Sequence, residues 1–185
     1  LLVFIFCAEI LGEINAFYER IPIWDTVLHT VNGFVAAAIG FSLVDLMNRN
    51  ERIAFSLSPL FAVLVAFCVS MTIGVMWEFF EFFMDQVFQL DMQKDTVIHS
   101  FSSVMLDPAH SNTPIRLEDI HDTVVNGTSL GLGGYLDIGL IDTMQDLLVN
   151  FIGAVLFSFF GYFCMKYKDK RKLLRKLVPR RKEKN

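Results

Sequence analysis

The stretch "IDTMQDLLVNFIGAVLFSFFGYF", residues 141–163, decides how this chain is read. It is long and apolar enough to cross a hydrocarbon core of about 30 Å, which takes ~20 residues of helix. Yet its first ten residues carry Asp142, Asp146 and Asn150, each four apart. In a helix that spacing lines one face. A membrane helix with a polar stripe along one face needs something other than lipid to face.

Two more stretches reach spanning length, residues 24–47 and 54–84, and residues 1–12 form a shorter apolar stub. The composition agrees: 54% of the 185 residues are hydrophobic and 19 are Phe. That excess, gathered into long runs, argues against an ordinary soluble domain. The fold expected is an all-α integral membrane protein: a four-helix transmembrane bundle with a short β-containing extracytoplasmic insert before the last helix. Its segments are a first transmembrane helix over 1–12, three more over 24–47, 54–84 and 141–167, an acidic insert over 85–140 and a basic tail over 168–185. The chain opens with Leu, not Met, so the expectation is that this first helix is cut and residues precede Leu1. Cys7, Cys68 and Cys164 lie inside apolar runs and read as small hydrophobes rather than a disulfide framework.

Orientation follows from where the charges fall. Of 16 Lys and Arg, 11 lie from Lys166 onward, and Arg49 and Arg52 sit in the linker between the second and third spans. The connection from Asp85 to Leu140 has eight acids against Lys94 and Arg116 alone. Basic residues near span ends stay cytoplasmic. Both termini are therefore expected inside and the acidic insert outside, in a multi-pass protein of the bacterial plasma membrane. The basic tail reads as a topology anchor that also contacts anionic lipids. No motif calls for nucleic acid, and an oligomer is open.

The other helices repeat the polar stripe of the last one. "WDTVLHTVNGF" puts Asp25, His29 and Gly33 at i, i+4, i+8, and "GVMWEFFEFFMD" puts Gly74, Glu78, Glu81 and Asp85 at i, i+4, i+7, i+11. Glu9 and Glu13 end the first stub four apart. Small residues continue below these groups (Gly33, Ala36, Gly40; Gly153, Gly161), which allows close approach of helices in lipid. All the stripes fall at the outer ends of their helices, so the sequence predicts a shared acidic pocket open to the outside. Ionisable groups at membrane depth are costly and mark function.

The residues divide by role. Glu78, Asp142 and Asp146 are candidate metal ligands, for Mg²⁺, Mn²⁺ or Ca²⁺, which prefer oxygen donors. His29 is a candidate general base or acid. Glu9, Asp25, Glu81 and Asn150 complete the ligand pocket. Within the insert, short β-branched stretches between turn formers predict one or two hairpins, with a tight turn at Asn126-Gly127, and a lid role is open. His99, His110 and His121 have no metal-ligand spacing among themselves.

"WDTVLHTVNGF", "WEFFEFFMD" and "GYLDIGLIDTMQDLLVNFIGA" resemble the YjdF-like family of uncharacterised bacterial membrane proteins, over roughly residues 12–165. The likeness runs through Trp24, Asp25, His29, Trp77, Glu78, Glu81, Asp142, Thr143, Asp146, Asn150 and Gly153. The order of Asp-x-x-x-His, Glu and Asp-x-x-x-Asn on successive helices is more distantly similar to VanZ-like proteins of the cell envelope, whose connection before the last helix is shorter. The resemblance implies a location and site residues, with no reaction. Whether the chain is an enzyme stays open. One reading binds a divalent cation or an envelope lipid head group. Another is a metal-dependent hydrolase or transferase acting on a lipid-linked envelope substrate. A third is a structural or assembly partner without a ligand.

Overall fold

The computed structural model of the chain describes residues 6–21, 23–48 and 57–167. The basic tail, the Arg49/Arg52 linker and the side chains of Glu9 and Glu13 lie outside the described residues. Among the described residues there are four α-helices: α1 (Phe17–Arg20), α2 (Trp24–Asn48), α3 (Pro59–Phe88) and α4 (Leu140–Lys166). Six short strands fall between α3 and α4: β1 (Val97–Ile98), β2 (Phe101–Ser103), β3 (Ile115–Leu117), β4 (Val124–Val125), β5 (Thr128–Ser129) and β6 (Tyr135–Leu136). The chain divides into two compact units, Glu81–Met144 and the remainder.

Among the described residues, helices α2, α3 and α4 are the three long and apolar enough to cross a membrane. The shortest, α2, has 25 residues, about 38 Å at the helical rise. Their amphipathicity is inverted relative to a soluble protein. On α2 the exposed side is Val27, Val31, Val35, Ile39 and Leu43, while the buried side is His29, Gly33, Ala36, Ala37 and Gly40. Large apolar groups outside and small or polar ones inside suit lipid as the solvent. Hydroxyls on these helices bond backward to their own backbone, Thr30 to the Thr26 carbonyl at 2.7 Å and Ser42 to that of Ala38 at 2.7 Å. That keeps polar hydrogens satisfied away from water.

Asn48 ties the end of α2 to the approach to α3: its side-chain amide donates to the Leu57 carbonyl (3.1 Å) and accepts the Leu57 N–H (2.7 Å). Ser58 accepts the Phe61 N–H at 3.3 Å and Pro59 opens the helix, where its missing donor costs nothing. Helix α3 therefore returns antiparallel to α2. Helix α4 runs parallel to α2: Gly33 lies against Asn150, and Phe157 packs edge-on to Phe34 (5.1 Å) and Phe41 (5.7 Å). The packed apolar core sits around Ala37, Phe41, Val44, Ala66, Ala154 and Phe157.

Of the stub expected as a first transmembrane helix, residues from Phe6 onward are described. Residues Phe6–Ile14 form a nine-residue π-helix. It is closed by Asn15, whose N–H and side-chain amide both donate to the Ile10 carbonyl (3.1 and 2.6 Å), before Ala16 turns left-handed at φ 55°.

In the unit Glu81–Met144, three antiparallel two-stranded sheets pair β1 with β6, β2 with β3 and β4 with β5. The β4–β5 hairpin turns at Asn126 (φ 52°) and Gly127 (φ 82°). Positive φ at both central residues is the twist that joins two adjacent strands.

Candidate functional site

His29 is the centre of the helical unit's polar groups. Its imidazole is 8% exposed and lies between helices. Nε2 is 3.6 Å from Asp25 Oδ1 on its own helix and 3.6 Å from Asp146 Oδ2 on α4. Nδ1 is 3.8 Å from Glu78 Oε1 on α3. Glu78 and Asp146 are each 4% exposed, whereas Asp25 is about one-third exposed at its side chain. One ligating atom from each of Asp25, His29 and Asp146 falls within 4.8 Å of the other two.

One turn beyond Asp146 on α4 lies Asn150, 1% exposed. Glycines make its place. A Cβ on Gly33 would stand 2.1 Å from the Asn150 carbonyl oxygen, and one on Gly74 would stand 2.6 Å from the Asn150 amide nitrogen. On α4 itself, a Cβ on Gly153 would stand 2.1 Å from the Thr30 carbonyl oxygen. These glycines bring α2 and α4 together backbone to backbone and seat α3 against the Asn150 side chain, which fixes the spacing of the three helices and of the acidic groups they carry. Asn150 Nδ2 points toward the Ser70 carbonyl at 3.5 Å, and Ser70 Oγ donates to the Gly33 carbonyl at 2.7 Å. Asn150 Oδ1 is buried and meets no donor among the described residues.

The structure thus brings together Asp25, His29, Glu78, Asp146 and Asn150 from three helices. Glu81 is buried and falls in the other unit, as does Asp142. Asp142 Oδ2 accepts the Lys94 N–H at 2.8 Å, beside a Gln93–Thr143 side-chain bond of 2.5 Å. Two buried polar residues of the long helices escaped the sequence reading. Ser70 lies four residues before Gly74, on the stripe that leads to Glu78. Asp45, 3% exposed, continues the line Asp25, His29, Gly33, Ala37, Phe41 at intervals of four.

The acids of the unit Glu81–Met144 work differently. Asp85 accepts the N–H groups of Met92 (2.6 Å) and Gln93 (2.9 Å). Asp137 accepts those of Thr96 (2.7 Å) and Ile141 (2.8 Å). Asp107 gathers the Ser111 hydroxyl (2.8 Å) and the N–H groups of Ala109 (3.0 Å), Ser111 (2.7 Å) and Thr113 (3.3 Å). Those bonds, led by the Ser111 hydroxyl, hold its carboxyl below the usual carboxylate range. Asp95 goes the other way: partial desolvation, then the charges of Asp91, Asp137 and Asp85, push it up.

Apolar helix exteriors around a small, polar interior define an integral membrane protein. The chain belongs to the family described as predicted membrane protein (DUF2238), whose model matches residues 1–167. An uncharacterized protein of Thermotoga maritima is 31% identical over 83 residues, a match covering 45% of this chain and 41% of that protein. No solved structure matches.

Proposed function

We propose that this is a multi-pass plasma-membrane protein with four spans and both termini cytoplasmic, whose outward-facing pocket binds a divalent cation. The supporting observation is the placement of His29 against Asp25, Asp146 and Glu78, with two of the three carboxylates almost wholly buried. Two buried carboxylates and a third part-exposed one, gathered on one imidazole, favour positive charge in the site. Protonation can supply it, and so can a bound cation. The spread of the carboxylates over three helices, each held by glycine contacts, favours the cation. Carboxylates converging around one point give a hard or borderline cation its ligands, whereas proton storage needs no such convergence.

The pocket reads as one-sided. Below Asn150 the interior is Ala37, Phe41, Val44, Ala154 and Phe157. Asp45 is 16 residues from His29 along α2, about 24 Å, beyond that apolar plug. A binding site suits this arrangement better than a conducting path. The hydrolase or transferase reading uses the same cluster, with a metal-activated water as nucleophile, and depends on cation binding first.

The test is equilibrium dialysis of detergent-purified protein against Mn²⁺, Zn²⁺, Mg²⁺ and Ca²⁺ in turn, with metal analysis of wild type and Asp146→Asn. The expected result is one cation per wild-type chain and none per Asp146→Asn chain. Folded wild type that takes up none of the four overturns the proposal.

A further inference from the structure

The cation reading leaves the ligands and the choice of cation undivided, and three distances divide them. We propose that Asp25, Asp146 and His29 Nε2 form a two-carboxylate, one-imidazole ligand set for a first-row transition cation, such as Mn²⁺, Fe²⁺, Co²⁺ or Zn²⁺, with Glu78 as a positioning residue on His29 Nδ1. This rests on the cation reading above and assigns its chemistry.

At 3.6 Å, the two approaches to Nε2 are too long for hydrogen bonds. They fit two donors sharing one ion. Ligands at about 2.1 Å from a metal, subtending about 110–120°, stand about 3.4–3.6 Å apart. Two carboxylates from different helices meeting one ring nitrogen at equal distance is the spacing of a seat, with the imidazole lone pair as its third side. The opposite ring nitrogen faces Glu78 Oε1 at 3.8 Å. At that range the carboxylate acts through its charge, not through a hydrogen bond, and favours the tautomer with its N–H on Nδ1 and Nε2 left to ligate; acidic outer partners commonly orient metal-binding histidines. A nitrogen ligand also decides the cation class. Mg²⁺ and Ca²⁺ take oxygen donors, whereas imidazole favours transition ions.

Asn150 is the second, independent observation. It is 1% exposed, and its Oδ1 meets no donor among the described residues. Side chains on a helix lean toward its N-terminus, which for Asn150 is the Asp146 turn. Because Nδ2 is directed to the Ser70 carbonyl, Oδ1 takes the other side. Gly33 and Gly74, each one turn from a residue of the cluster, leave it room. A buried acceptor one helical turn from Asp146 suits a metal-bound water, whose hydrogens need acceptors.

The experiment loads the full chain in detergent micelles with Mn²⁺ and records pulsed electron paramagnetic resonance on the wild type. The expected signature is nitrogen modulation from one coordinated imidazole, retained when Mg²⁺ or Ca²⁺ is added in large excess. His29→Gln loses the nitrogen signal. Glu78→Gln keeps one site per chain with affinity lowered about 10–100-fold, and Glu78→Asp recovers part of it. Because the wild-type spectrum is itself decisive, a variant that fails to fold does not remove the test. Bound Mn²⁺ without nitrogen modulation, or its displacement by equimolar Mg²⁺ or Ca²⁺, overturns the ligand assignment and leaves the cation reading standing. No uptake of Mn²⁺, Zn²⁺, Mg²⁺ or Ca²⁺ by folded wild type overturns both.

Discussion

Aspartate and glutamate do opposite work in the two units of this protein. In Glu81–Met144, Asp85, Asp107 and Asp137 each turn a carboxylate onto two or more backbone or hydroxyl donors and so fix loops that have little sheet to hold them. In the helical unit, Asp25, Asp146 and Glu78 converge on one imidazole. A helix interior has already used its N–H groups on its own carbonyls, so an acid there must find a side-chain partner or a ligand. A loop has N–H groups to offer. The same residue type becomes a structural clamp in one place and a candidate ligand in the other.

Glycines divide along the same line, and substituting them gives the largest effect expected. Gly33→Ala or Gly153→Ala drives a methyl to within 2.1 Å of a backbone oxygen on the neighbouring helix. Either should destabilise the helical unit by about 3 kcal/mol, measured as unfolding in detergent. Gly161→Ala meets only ordinary contacts at 3.4 Å and should be neutral or mildly stabilising. If all three behave alike, close helix approach does not hold the site.

A pH series sharpens the contrast for Asp107. Its carboxyl is held below the usual value of 3.8, so its bonds contribute fully above that value and are lost as pH falls through the lower folded value. Hydrogen exchange should show amides 109, 111 and 113 equally protected from neutral pH down past the usual carboxylate value, and losing protection only as pH falls through the lower folded value. Asp107→Ala should expose the same amides at every pH. Protection that survives in Asp107→Ala would mean the clamp is not the carboxylate.

In the β4–β5 turn, Gly127 is needed for its φ of 82°, with nothing within 4 Å of an added Cβ. Gly127→Ala should therefore cost about 1 kcal/mol, by urea or thermal unfolding, against the larger loss at Gly33. The smallest effect belongs to Asp95. Its carboxyl is raised, so its charge opposes the fold above the folded value, and that opposition is relieved as pH falls through it. Asp95→Asn should stabilise by about 0.5 kcal/mol or less at neutral pH, seen as a small rise in melting temperature.

What could be read in advance was whatever the helical period controls. The i, i+4 stripes of Asp25–His29–Gly33 and Asp146–Asn150–Gly153 put those residues on inward faces, because large apolar groups took the outward ones. The Asn126-Gly127 turn was equally local. The partner of each acid was not local. Asp142 shares a stripe with Asp146, yet its carboxylate takes the Lys94 N–H from a loop 48 residues away. Pairing of Val97 with Leu136 likewise joins segments that no short pattern connects. Ser70 and Asp45 were passed over because a lone polar residue in an apolar run carries little signal until the stripe is followed to its end.

The most direct measurement compares the two kinds of acid in one experiment. Purified wild type, Asp146→Asn and Asp107→Asn are dialysed against Mn²⁺, and the metal bound per folded chain is counted. One ion is expected for wild type and for Asp107→Asn, and none for Asp146→Asn. An Asp146→Asn protein that binds as wild type does, or an Asp107→Asn protein that loses the ion, would contradict it.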